Sequence, residues 1–575
     1  MHRRTVLAGA ALAGIRVPGA AASIGSTDVV QDPGPTEGDT GQTDPFAAPL
    51  TAEDVTAAAR TIELPLDASE IEALVPDLER RRTQTRRRRA RRHPNERAPA
   101  ETWRPIAGTP QPTHSLQPLA IAPGPLPDDH AAIAHASVGR LGAWIRSGAL
   151  TSRQLTDLYL ERIERLNPKL EAVITVTVEL ARAQADAADR ELASGTDRGP
   201  LHGIPYGAKD LFDTANIRTT WGAAPYRERV PDSDAAVITR LREAGAVLVA
   251  KTTLGALAYG DIWFGGRTNN PWDVDRGSSG SSAGSASGTA AGLFAFSLGT
   301  ETYGSIVSPS MECGTTGLRP TFGRVPRTGA MALCWSLDKV GPICRTVEDC
   351  GLVLAAIDGA DAGDASSVDL DFILETNTGA KDLTVGFDPR WFNGRRARAT
   401  DRAALEAMHA TAALGNGPRL VEIVGPDQDG ADELLVILET EAAAAFQELT
   451  LENRDDELAW QAPQAWPQTF RGAHFHSAVD LMQAMRMRRA ISERMDEAFG
   501  NVDVILAPSF AGGLNLMTNF TGHPCLVLRS GFAESGRPSG VSLFGRLGED
   551  AALVRLGVQL ERTLAVAGRT PPSFS

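Results

Sequence analysis

Apolar residues recur at three- and four-residue spacing through SVGRLGAWIRSGALTSRQLTDLYLERIERLNPKL, residues 137–170, which predicts helices with TSRQ as an N-terminal cap. Short, continuously apolar runs follow a different rule. AVLVA (246–250), LTVGF (383–387), VDVILAP (502–508) and CLVLRS (525–530) are too short for helices and read as buried strands. Helical and strand-like segments alternate along the chain without an internal repeat. That is an α/β pattern, and it predicts one layered domain over residues 135–570.

The first 134 residues are patterned otherwise. MHRRTVLAGAALAGIRVPGAAAS combines an arginine pair, Arg3 and Arg4, with a weakly apolar run and small residues at 19–22. This is the layout of a twin-arginine export signal over residues 1–22, so export is expected; a start codon assigned too early on an Ala/Arg-rich leader gives the same letters. Gly, Pro, Asp and Thr dominate residues 23–50, a disordered spacer by composition. Residues 51–134 read as a helical, Arg-rich and Pro-rich appendage. Two helical patterns, TAEDVTAAARTIEL and DASEIEALVPDLERRR, run into ten arginines between Arg80 and Arg97. Such a run is either a nucleic-acid arm or a solvated helix end.

Composition narrows the classes. With 575 residues, 42% hydrophobic and 22% charged, the chain buries a large core, and its net charge of -14 argues against a general nucleic-acid binder. No apolar run reaches the roughly 18 residues of a membrane span. Five cysteines, an odd number without a CxxC, suggest neither a disulfide framework nor a zinc site. His474 and His476, the closest histidine pair, point to different sides of a helix.

GSSGSSAGSASG, residues 277–288, has the composition of a flexible linker but sits between apolar, folded-looking segments. Glycines and serines there let the backbone approach reacting groups closely. The phosphate-loop pattern GxxxxGK[ST] is absent. GSSAG matches the lipase-type GxSxG formally, with Ser282 central. A second Gly-Ser site, GTETYGS, ends at Ser305, and two serine sites flanking one apolar segment suggest a relay instead.

NPWDVDRGSSGSSAGSASGTAAGLFAFSLGTETYGSIVSPSMECGTTGLRPTFGRV, Asn270 to Val325, resembles the signature of the amidase signature family without a gap. LHGIPYGAKDLFDTANIRTTWGA upstream, and SLDKVGPICRTVEDC and TNFTGHPCLVLRSGF downstream, fit the same family, over about residues 136–565. The resemblance implies a mixed central sheet covered by helices on both faces. It implies a Ser-Ser-Lys triad with Ser305 as nucleophile, Ser281 as the bridging serine behind a cis peptide bond, and Lys209 as base. It places oxyanion and substrate contacts at Thr302, Tyr303 and Gly304. Tyr303 departs from the family's usual glycine, and its ring is expected either to line the acyl pocket or simply to pack. Val307 and Ala283 are lesser departures.

The chemistry suits those residue types. A hydroxyl becomes a nucleophile when a neighbouring base takes its proton, and a lysine is a base only when burial or nearby positive charge keeps it neutral. The chain has just five lysines, which favours a special use for Lys209. The resemblance therefore implies an amidohydrolase acting on a small-molecule amide, with no metal or organic cofactor, no nucleic acid, no membrane span, and a homodimer left open. Two alternatives remain: an A-type member of an aminoacyl-tRNA amidotransferase complex, or a carbamate or ester hydrolase with the same triad.

Overall fold

Every residue of the strands Pro205–Lys209, Val247–Thr252, Phe296–Glu301 and Lys339–Cys344 is buried. Strands buried on both faces belong to a sheet with cover on both sides. The computed structural model, which describes residues 48–90 (backbone alone at 88–90), 112–118, 120–395 and 397–575, shows that sheet. It has eleven strands, in the order Arg419–Glu422, Thr384–Phe387, Val504–Pro508, Pro538–Gly545, Cys525–Phe532, Thr316–Arg319, Lys339–Cys344, Phe296–Glu301, Pro205–Lys209, Val247–Thr252 and Val173–Val176. Parallel and antiparallel pairs mix, and helices such as Val347–Ile357 and Asp550–Leu564 pack on it. This is the expected mixed α/β architecture. Tyr206 and Phe296 stack across neighbouring strands at 5.3 Å between ring centroids, and each large ring so buried contributes about 1.5–3 kcal/mol.

Pro205–Lys209 runs parallel to both of its neighbours, so Lys209, Thr252 and the end of Phe296–Glu301 emerge along one edge. The carboxyl ends of parallel strands are where open sheets place their ligands. The Gly/Ser stretch sits at this edge. It leads into the helix Ala283–Ala290, buried at every position and laid against the strands carrying Lys209 and Glu301. Small side chains are required for so close an approach. A Cβ on Gly280 would stand 1.9 Å from the carbonyl oxygen of Gly260.

Residues 51–134, set apart in the sequence by composition, are not set apart in space where they are described. Thr51 and Asp54 form a capping box at the start of the helix Ala52–Thr61. The longer helix Ala68–Ala90 buries Leu74 and Leu78 and packs on the helices Trp466–Ala473 and Ala478–Phe499. Arg471 reaches Glu70 at 2.5 Å and Asp455 at 2.9 Å. The strand His114–Gln117 pairs in parallel with Phe372–Glu375. Leu50 to Ser575 thus forms one unit. The expected export signal, most of the spacer, and residues 91–111 of the Arg- and Pro-rich stretch lie outside the described residues. Among the described residues, no helix is long and apolar enough to cross a membrane.

All five cysteines are free and buried. Burial pushes the thiols of Cys313, Cys334 and Cys344 well above their usual value, and that of Cys525 up to about 12. Three of the five lysines, Lys209, Lys251 and Lys339, are also buried in full. Lys251 pairs with Asp210 at 3.2 Å and also donates to Thr219 and to the carbonyl of Phe212.

Candidate active site

Lys209 ends its strand with its Nζ enclosed among neutral oxygens. It donates to Ser281 Oγ at 2.9 Å, to Thr300 Oγ1 at 2.8 Å and to Ser282 Oγ at 3.1 Å. Burial lowers its pKa to about 7, against the opposing pull of the Asp338 and Glu301 carboxylates, neither of which touches it. A lysine in this setting carries a substantial neutral fraction at neutral pH, which an exposed lysine does not.

Both serines come from loops that the sheet edge holds together. The Gly280–Ser281 peptide bond is cis, and Ser279 beside it adopts a positive φ of 61°. Ser281 is buried against Lys209, while Ser305 follows Gly304, whose φ of 89° is one that glycine adopts freely. Ser282 N–H donates to the Ser305 carbonyl at 3.2 Å, which ties the two loops. The Lys209–Ser281 half of the expected relay is a hydrogen bond here; the Ser305 hydroxyl has no hydrogen-bond partner among the described residues and instead lines two cavities. Ser282, the formal centre of the lipase-like pattern, is fully engaged: its Oγ donates to the Thr300 carbonyl and accepts from Lys209 Nζ and Thr300 N–H.

The turn Thr302–Ser305 is held from both ends. Thr302 Oγ1 donates to Asp338 at 2.6 Å, and Asp338 also accepts from the N–H groups of Leu333 and Cys334. Glu301, buried completely, accepts from the N–H groups of Ile306 and Val307 at 2.8 and 2.9 Å, from Arg319 at 2.7 Å and from Asn519 at 2.8 Å. Burial alone would raise this carboxyl, but Arg319 and the two N–H groups outweigh it and hold the pKa below the usual range. The N–H groups of Tyr303, Gly304 and Ser305, between those anchors, meet no acceptor among the described residues. A row of free, rigidly held N–H donors is what a developing oxyanion requires. Thr300, Asp338, Glu301 and Arg319 escaped the sequence reading. All four fall inside the quoted motifs, but nothing in the letters shows them converging.

Two cavities meet at Ser305. One, of about 610 Å³, is lined by Tyr259, Asp261, Ser279, Gly280, Phe510 and Asn515 among others. The other, of about 310 Å³, lies under the helix Ala68–Ala90 and takes in Asp77, Arg80, Arg81, Glu439 and Trp466. Tyr303, 44% exposed, lines both, so its ring neither packs in the core nor belongs to one pocket. His476 of the histidine pair faces Glu439 and Arg81. Among the described residues, one trio of acids, Glu70, Asp455 and Asp456, is close enough to share an ion; Arg471 already bridges all three.

A family model described as Amidase matches residues 154–554. The A subunit of glutamyl-tRNA(Gln) amidotransferase from Synechococcus sp. (strain CC9902) is 33% identical over 484 residues, covering 75% of this chain and 97% of that protein. The protein of the same description from Halorhodospira halophila (strain DSM 244 / SL1) is 33% identical over 488 residues, covering 76% and 99%. Among solved structures, native peptide amidase from Stenotrophomonas maltophilia superposes with a TM-score of 0.68 at 27% identity, covering 77% of this chain and 100% of that one.

Proposed function

The chain belongs to the amidase signature family, enzymes acting on C–N bonds, and on that premise we propose that it is a serine amidohydrolase that works without partner subunits. The observation that carries this reading is Lys209, buried, with its pKa lowered to about 7 and its Nζ on Ser281. Ser305 Oγ attacks the substrate carbonyl carbon and gives its proton to Ser281, whose own proton passes to Lys209 Nζ. The carbonyl oxygen, now an anion, is held by the N–H groups of Tyr303, Gly304 and Ser305. The proton returns through Ser281 to the amide nitrogen, the C–N bond breaks, and the amine leaves. Water then enters, gives up a proton along the same path, and releases the acid from Ser305.

The curated relatives are amidotransferase A subunits, which favours a second reading in which this chain supplies ammonia within a complex. The helix Ala68–Ala90 speaks for the free-standing enzyme. It closes a cavity at Ser305 from a part of the chain outside the matched residues 154–554. The purified protein, given simple aliphatic and aryl amides alone, is expected to hydrolyse them. Activity that appears only with charged tRNA, ATP and partner subunits would establish the second reading.

A further inference from the structure

The two cavities at Ser305 differ in charge. In the smaller one, Asp77 and Glu439 pair with Arg80 and Arg81, so its charged lining cancels. Among the described residues that line the larger one, Asp261 alone is charged. Its Oδ2 accepts from the N–H of Ser279 at 3.1 Å, and its Oδ1 has no partner in any other described residue. Arg267, whose charge reaches this carboxyl, turns its guanidinium elsewhere. It donates to Asn269 Oδ1 at 3.1 and 3.2 Å and to the Asp275 carbonyl at 3.0 Å. Burial raises the Asp261 carboxyl above its usual value, and the Ser279 N–H and Arg267 offset that only in part. A half-buried carboxylate without a counter-ion gains from a cation brought to it.

The rest of the lining suits such a guest. Tyr259, Tyr303 and Phe510 share the cavity with Asp261, and the negative faces of aromatic rings attract cations while their bodies cover an apolar stem. The carboxylate is also tied to the catalytic loop. Ser279, whose N–H it holds, stands two residues before Ser281, and Ser279 Oγ shares a hydrogen bond of 2.7 Å with Ser308 Oγ, three residues after Ser305. Asp261 therefore lines the same cavity as the Ser305 nucleophile from a fixed position.

We propose that the larger cavity selects amides that carry a primary ammonium several bonds from the scissile carbonyl, with Asp261 as the specificity-determining contact. The proposal rests on the amidohydrolase reading and adds the substrate class to it. Two isosteric pairs of amides test it at about pH 8, where an alkylammonium keeps its proton. 6-Aminohexananilide against heptananilide puts the charge on the acyl side, and N-(5-aminopentyl)acetamide against N-hexylacetamide puts it on the amine side. In about 20 mM salt, at least one cationic member should exceed its neutral partner about fivefold or more in kcat/KM, mainly through KM. Asp261→Asn keeps an oxygen for the Ser279 N–H and removes the charge, so the ratio should fall towards unity. A merely structural role would slow both members alike and leave the ratio where it was. If Asp261→Asn does not fold, Asp261→Ser is read in its place. A cationic member no faster than its neutral partner in both pairs would overturn the proposal. So would an advantage that survives loss of the carboxylate, which would belong to the chain's net charge of -14 instead. Hydrolysis of none of the four overturns the amidohydrolase reading. The cavity is then read without turnover, by calorimetric binding of hexylammonium chloride against 1-hexanol. Tighter binding of the cation, lost in Asp261→Asn, upholds the inference. Equal affinities, no binding of either, or a preference that survives the substitution refute it.

Discussion

Lys209 Nζ lies 2.9 Å from Ser281 Oγ, two residues that are 72 positions apart in sequence and both shut away from solvent. No carboxylate completes the pair, since the other partners of Nζ are the hydroxyls of Thr300 and Ser282 and the Thr300 carbonyl. An ammonium would have to keep its charge here without a counter-ion. Burial therefore favours the free amine, and the amine is the form that accepts a proton.

The consequence is a rate that follows the lysine. For a neutral amide substrate, kcat/KM should climb with unit slope below about pH 7, where Lys209 is still protonated, and level off above it. Lys209→Arg keeps the charge but gives no neutral base, because a guanidinium stays protonated. It should lose activity as severely as Lys209→Ala, by about a thousandfold or more. A flat profile, or an active Lys209→Arg, would remove Lys209 from the role of base.

Ser305→Ala should abolish hydrolysis to a comparable degree while the thermal midpoint stays put, since one hydroxyl without a hydrogen-bond partner among the described residues is lost. A fluorophosphonate should label Ser305 and spare Ser282, whose Oγ is occupied three times over. Peptide mapping that finds the label on Ser282 would restore the lipase-type reading.

Glu301 and Arg319 make a buried pair at 2.7 Å that also pins the start of the helix after Ser305. Removing one charge strands the other. Glu301→Gln should cost about 3–5 kcal/mol in denaturant unfolding, and the double change Glu301→Gln, Arg319→Met should recover part of that loss. A single variant as stable as the parent would show that the pair is not needed.

That Lys209, Ser281 and Ser305 belong to one region was legible because they lie inside long contiguous motifs, in which the glycines and serines around Ser281 and Ser305 mark backbone that must approach closely. The alternating helical and strand-like runs gave the layered α/β class for a similar reason, since each is decided locally. What the sequence hid is long-range. Glu301 meets Asn519 across 218 positions, and Arg81 meets Glu439 across 358. The arginine run looked like a solvated helix end because the carboxylate that buries Arg81 in the domain, Glu439, lies far down the chain.

Asp349 supplies a pH test of stability that is independent of turnover. It is buried, and burial raises its carboxyl to about 6, with the N–H of Val138 and the Thr346 hydroxyl pulling the other way. Folding therefore favours the protonated form. The contribution is fully present below the unfolded value near 4, is lost as pH rises through about 6, and is absent above. Unfolding free energy should thus decline across that window by on the order of 2 kcal/mol from this group. Asp349→Asn should flatten the decline, and an unchanged pH dependence in that variant would show that the carboxyl titrates normally.

The five enclosed thiols give the enzyme a chemical silence around its serine. With burial pushing four of them away from the thiolate, alkylating reagents find no partner on the native protein. Each cysteine answers only when its surroundings open: Cys344 and Cys525 on the two strands that flank the middle strand of the sheet, Cys334 beside the loop that holds Asp338. The order in which they become modified is therefore a map of which parts of the fold yield first, written into the wild-type chain with no label added.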